Sequence, residues 1–70
     1  MKTYRAYLID KTGKIVWGEW IEAASQDEAV IEAHKLCKEG TPTVELWLGA
    51  APVAEIPCAS PPSEAVRLQA

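Results

Sequence analysis

Residues 3–23 read TYRAYLIDKTGKIVWGEWIEA, and how this stretch folds back on itself decides the architecture. Thr3–Asp10 is rich in Tyr, Leu and Ile and predicts a strand. Asp10-Lys11-Thr12-Gly13 follows. Asp suits the first position of a type I turn, and Gly13 can take the left-handed conformation that closes a three-residue hairpin loop. Lys14–Ala23 is then the return strand. Pairing Asp10 with Lys14 also sets Arg5 against Glu19 and Lys2 against Glu22. Opposite charges face each other, which favours this register over a one-residue slip. Tyr7 would face Trp17, and Tyr4 would face Trp20. Alternation assigns Tyr4, Ala6, Leu8, Val16, Gly18 and Trp20 to the core side, with Ala6 beside Gly18 leaving room for a helix. The other side takes Thr3, Arg5, Tyr7, Ile9, Ile15, Trp17, Glu19 and Ile21.

Working outward, Ser25-Gln26-Asp27-Glu28 is a capping box. It opens a helix predicted from Gln26 to Glu39, with Gly40 as its cap and Pro42 blocking continuation. Ala29, Ala33, Leu36 and Cys37 make the inward stripe, with Val30 on its flank. Thr43–Leu48 is a third strand, with Val44, Leu46 and Leu48 toward the helix and Glu45 and Trp47 away from it. Gly49-Ala50-Ala51 is a turn. Pro52–Ile56 is a shorter strand, and its flanking prolines suit an edge. The fold class is therefore α+β: ββαββ, a four-stranded antiparallel sheet in the order 2-1-3-4 with one helix on one face. The order 1-2-3-4, with strands 2 and 3 parallel, is the alternative. Residues 1–57 form a single domain and residues 58–70 a loose tail, in which Ser63–Ala70 has the composition for a helical turn.

At 70 residues the chain can close only one core. Such a core supplies roughly 3–5 kcal/mol, which raises the prior for self-association. Hydrophobic residues are 49% and charged residues 24% of the chain, ordinary for a globular domain and too apolar for disorder. The net charge of −3 and the scatter of the seven Lys and Arg residues argue against nucleic acid and anionic membrane as partners. No apolar run approaches the ~20 residues of a membrane helix. The stretch MKTYRAYLID has no apolar core of a signal peptide, so a cytoplasmic protein is expected. Two cysteines, Cys37 on the helix and Cys58 in the tail, are fewer than small secreted domains carry, and reduced thiols are expected.

Candidate chemistry is sparse. His34 and Cys37 lie one helical turn apart, with Cys58 as a conceivable third ligand. Zinc sites use four ligands in tighter clusters, and a buried free Cys is ordinary, so no metal site is assigned. Cys58 has no neighbouring cation to activate it. Glu19 and Glu22 are paired across strands, Glu28 is a cap and Glu32 a solvated helix residue. No phosphate loop, dinucleotide fingerprint, nucleophile elbow or zinc-protease motif occurs. No catalytic residue, cofactor or metal is expected, and the chain reads as a non-enzyme.

The segments Tyr4-Arg5-Ala6-Tyr7-Leu8-Ile9-Asp10, Gly13-Lys14-Ile15-Val16, Asp27-Glu28-Ala29 and Val44-Glu45-Leu46-Trp47 resemble a group of small bacterial proteins of unknown function. Those carry YRAYLLD-x-x-G-x-I, a capped helix with EA, and VE[VL]W-x-GA. The resemblance spans residues 3–56, implies the ββαββ fold and brings no catalytic residues. At the level of fold the chain is also similar to HicB-type antitoxin domains, where a hairpin precedes an EA helix, though no DNA-binding segment is evident here.

One helix covers one sheet face, which leaves Tyr7, Ile9, Ile15, Trp17, Ile21 and Trp47 on the other. Exposed aromatic patches mark association. The leading expectation is a protein-interaction module, with a second copy of the chain, as a homodimer, the first candidate partner. The alternative is a nucleic-acid-binding or antitoxin-like accessory domain that stacks bases on Tyr7, Trp17 and Trp47. A small-ligand binder or enzyme would need a concave site, for which a single helix on a small sheet leaves little room.

Overall fold

A computed structural model describes residues 1–68. Its elements in chain order are β1 (Lys2–Ile9), β2 (Ile15–Ala23), α1 (Gln26–His34), β3 (Thr43–Leu48), β4 (Ala51–Pro57), a single 3-10 turn (Pro62–Glu64) and β5 (Val66–Arg67). The sheet is antiparallel throughout in the order β2-β1-β3-β4-β5, with α1 packed on one face. The expected α+β class, the strand order 2-1-3-4 and the single helix are all present, and the sheet gains a fifth strand.

The hairpin loop forms as its residues dictate. The Asp10 carboxylate accepts hydrogen bonds from the Thr12 amide (2.9 Å), the Thr12 hydroxyl (2.7 Å) and the Lys14 amide (3.0 Å). The Asp10 amide donates to the Lys14 carbonyl at 2.9 Å. Gly13 has φ +87°, a left-handed backbone that glycine adopts without steric cost.

Beyond the loop the expected register is corrected. Ile9 pairs with Ile15, but Leu8 pairs with Trp17, so Val16 is an extra residue on β2. This β-bulge shifts all later pairs by one. Tyr7 lies opposite Gly18, not Trp17; Arg5 opposite Trp20, not Glu19; Tyr4 opposite Ile21, not Trp20. The faces of β1 stay as expected, as does Ile15, and those of β2 beyond the bulge exchange. Ile21 and Ala23 enter the core, while Gly18 and Trp20 leave it. The bulge places Ile21, 8% exposed, in the core with Ala23 and the residues of α1, leaves the bulkier Trp20 67% exposed, and forgoes the expected cross-strand charge pairs.

The core joins Tyr4, Ala6 and Leu8 of β1 to Ile21 and Ala23 of β2, Ala29, Val30 and Ala33 of α1, Val44 and Leu46 of β3, and Ala54 and Ile56 of β4. Ser25 caps α1, its hydroxyl accepting from the Glu28 amide at 3.2 Å, while the Glu28 carboxylate accepts from the amide of Ala24 at 3.1 Å. The helix is shorter than predicted. The amides of Lys35, Leu36 and Cys37 each bond three residues back, to Glu32, Ala33 and His34. That tightening ends α1 and turns Cys37 toward Cys58. Lys38 bridges to Thr41 instead of continuing the helix, and the buried Thr41 hydroxyl donates to the Lys38 carbonyl at 2.8 Å.

The segment after Pro57 is also corrected, within the described residues. Cys58 is joined to Cys37 by a disulfide. The Leu68 amide donates to the Val53 carbonyl at 3.1 Å, and β5 extends the sheet beside β4. The two thiols expected to be reduced are thus one bond, and residues 58–68 lie back on the domain. Residues 69–70, the end of the predicted Ser63–Ala70 helical turn, are outside the described residues.

Candidate functional site

The helix-free face is built from alternate residues of the central strands. β1 contributes Arg5, Tyr7 and Ile9, β2 contributes Ile15, Gly18 and Trp20, and β3 contributes Glu45 and Trp47. Arg5 organises it. Its guanidinium carbon lies 4.5 Å from the centre of the Trp20 ring and 5.6 Å from that of Tyr7. It rests over the bare backbone of Gly18, where a Cβ would come within 2.7 Å of its nitrogen. Glycine at position 18 therefore makes room for an arginine on the open side, not for the helix on the other. Tyr7 meets Trp47 edge to face at 6.1 Å between centroids. The Trp47 indole N–H donates to Glu45 at 3.2 Å.

Cation–π stacking of this kind contributes ~0.5–1 kcal/mol at exposed sites, enough to hold the guanidinium flat on the rings. Arg5 forms no salt bridge among the described residues. Glu45 and Glu55 lie directly opposite each other on β3 and β4, also without a cationic partner among the described residues. Like charges in that position oppose each other, so the pair is ready to accept a cation from outside.

Of the six predicted contact residues, the structure brings Tyr7, Ile9, Ile15 and Trp47 to this face and takes Trp17 and Ile21 to the other. Ile21 is core. Trp17 stands on the helix side beyond the end of α1, 56% exposed, its indole N–H donating to Glu19 at 2.9 Å. There it walls a cleft of ≈230 Å³ with Leu8, Leu36 and Lys38. Ile9, although on the open side, is largely covered. Trp20 and Arg5 are the functional candidates that the register error concealed. Gly18 within an aromatic strand is the signal for them, since such a glycine marks close approach of another group, here Arg5 and not the helix.

The residues weighed for metal binding do come together, but not as ligands. Cys37 and Cys58 are bonded to each other, and the His34 ring nitrogen Nε2 lies 2.7 Å from the Ser60 carbonyl. No cluster of three or more His, Cys, Asp or Glu residues suited to a metal occurs among the described residues. None of the described helices is long and apolar enough to cross a membrane. Asp10 has its carboxyl held below the ordinary carboxylate range by the Thr12 hydroxyl and then the Lys14 amide, which is a turn-building role.

No protein-family model matches the sequence, and neither a curated protein nor a solved structure matches the chain.

Proposed function

We propose that this protein is a non-enzymatic interaction module that pairs with a second copy of itself through the helix-free face of its sheet. The observation that carries the reading is the charge layout of that face. Among the described residues, an arginine cradled by aromatics and free of any carboxylate sits on the strand beside that of Glu45, and Glu45 and its β4 neighbour Glu55 are free of any cation. A two-fold axis lying in the plane between the two faces, parallel to the sheets, sets Arg5 of each copy against Glu45 and Glu55 of the other and stacks Trp20 and Trp47 between them. Aromatic residues and Arg are the side chains that interface centres favour.

The molecule measures 30 × 23 × 20 Å, so even its broadest side falls a little short of the ~800 Å² per partner of a standard interface. The dimer is accordingly modest in strength and concentration-dependent.

Charge reversal tests it. Arg5→Glu should abolish pairing, and so should the double variant Glu45→Arg/Glu55→Arg. Mixing the two should restore a heterodimer in native mass spectra. Pairing that survives either reversal, or a mixture that stays monomeric, would refute the assignment.

A further inference from the structure

The segment from Cys58 to Leu68 is fastened by few contacts besides its disulfide. β5 has two residues and the 3-10 turn three, with no buried residue in either. Arg67 reaches Asp27 in an exposed ion pair, His34 Nε2 contacts the Ser60 carbonyl, the Leu68 amide bonds to Val53, the Cys58 amide bonds to Pro42, and beyond Cys58 the small side chain of Ala65 packs, partly buried, against the core. Exposed ion pairs add little, and ordering a ten-residue segment costs conformational entropy at every residue. The covalent link at its root therefore dominates its attachment. Both cysteines are only partly buried, so an external thiol can reach them.

We infer that the Cys37–Cys58 bridge is a redox-operated strap whose reduction releases residues 59–68 and converts β4 from an interior strand to an edge strand. A dithiol supplies the electrons. Its thiolate attacks one sulfur of the bridge, the S–S bond breaks, and a mixed disulfide forms. The second thiolate of the reductant then displaces the protein sulfur. The dithiol is oxidised to a disulfide, and Cys37 and Cys58 take up two electrons and two protons as thiols.

Loss of the strap removes the partner of Ala54 and Glu55 on β4 and takes the Leu68 amide from the Val53 carbonyl, which keeps the Gln26 side-chain amide at 3.3 Å. It also removes Pro62, Ser63 and Arg67, one wall of the ≈330 Å³ cleft over Asp27, Val30 and Ile31. An unpaired edge is a template for an added strand, so the reduced form presents a surface that the oxidised form hides. The device lies at the opposite end of the sheet from β2 and operates whether or not the helix-free face pairs.

Hydrogen exchange read by mass spectrometry tests it on the full chain, oxidised and after treatment with dithiothreitol. Reduction should speed exchange about tenfold or more in residues 59–68 and at Glu55, with β1, β3 and α1 unchanged, and reoxidation should restore protection. The double variant Cys37→Ser/Cys58→Ser should show the fast pattern without reductant. Unchanged exchange in 59–68 after reduction would overturn the inference, because the strap would be held by its other contacts. A rise in exchange over the whole sheet, or a double variant that does not fold, would equally overturn it, because the bridge would then be a global staple.

Discussion

β1 builds both faces of the sheet from neighbouring residues, and the two faces solve different problems. Tyr4, Ala6 and Leu8 point into a core closed by α1, where each is at most 2% exposed. Arg5 and Tyr7, between them, point to a side that no helix covers and remain half-buried. On the closed side apolar area is removed from water by packing alone. On the open side the aromatic rings are ordered by a cation, an edge-to-face contact and one indole hydrogen bond, which leaves their outer surfaces available. The closed face carries stability; if the open face carries recognition, as proposed, substitutions should separate the two.

The largest effect is expected on the closed face. Leu46→Ala removes a fully buried side chain and should cost ~2–5 kcal/mol, comparable with the whole stability of so small a domain. A urea titration should show a folding midpoint at or near zero denaturant. Ser25→Ala loosens the helix that closes this face. It should lower stability by about 1 kcal/mol with the fold retained, and an unchanged midpoint would exclude Ser25 as a working cap.

Trp20→Ser acts on the other face. It should shift monomer stability by no more than about 1 kcal/mol, since it loses one exposed cation–π contact. A larger loss would mean that the open face is a second core. Asp10→Asn should be smaller still, and its deficit should vanish in acid. The folded-state pKa of Asp10 is depressed, so its contribution is present above the unfolded value of about 3.9 and is lost as pH falls through the folded value. The wild type should thus lose stability below about pH 4 more steeply than the variant in acid titrations monitored by circular dichroism.

Local chemistry made most of the fold legible. The Asp10–Gly13 loop and the Ser25 cap rest on contacts between residues a few positions apart, the Thr43–Leu48 strand shows in its own alternation, and the structure has each of them. What was not legible depends on distant partners. The bulge at Val16 is set by burial of Ile21 and Ala23 against the helix, and one inserted residue moved Trp17 and Trp20 to opposite sides. The early end of α1 and the docking of residues 58–68 both follow from a bond between cysteines 21 residues apart, which spacing alone does not announce. The candidate site was half legible for the same reason. Its β1 and β3 members, Tyr7, Ile9 and Trp47, follow from alternation, whereas its β2 member Trp20 and the Arg5–Gly18 seat needed the true register.

The division of labour between the faces is tested most directly by sedimentation of three proteins from low micromolar to millimolar concentration: the wild type, Trp20→Ser and Trp17→Ser. Trp17 is nearly as exposed as Trp20 but stands on the helix side, so it controls for exposed indole as such. The wild type and Trp17→Ser should rise from the 7.6 kDa monomer toward twice that mass, while Trp20→Ser remains monomeric throughout. A wild type that stays at 7.6 kDa at the highest concentration, or a dimer lost in Trp17→Ser and kept in Trp20→Ser, would contradict the account.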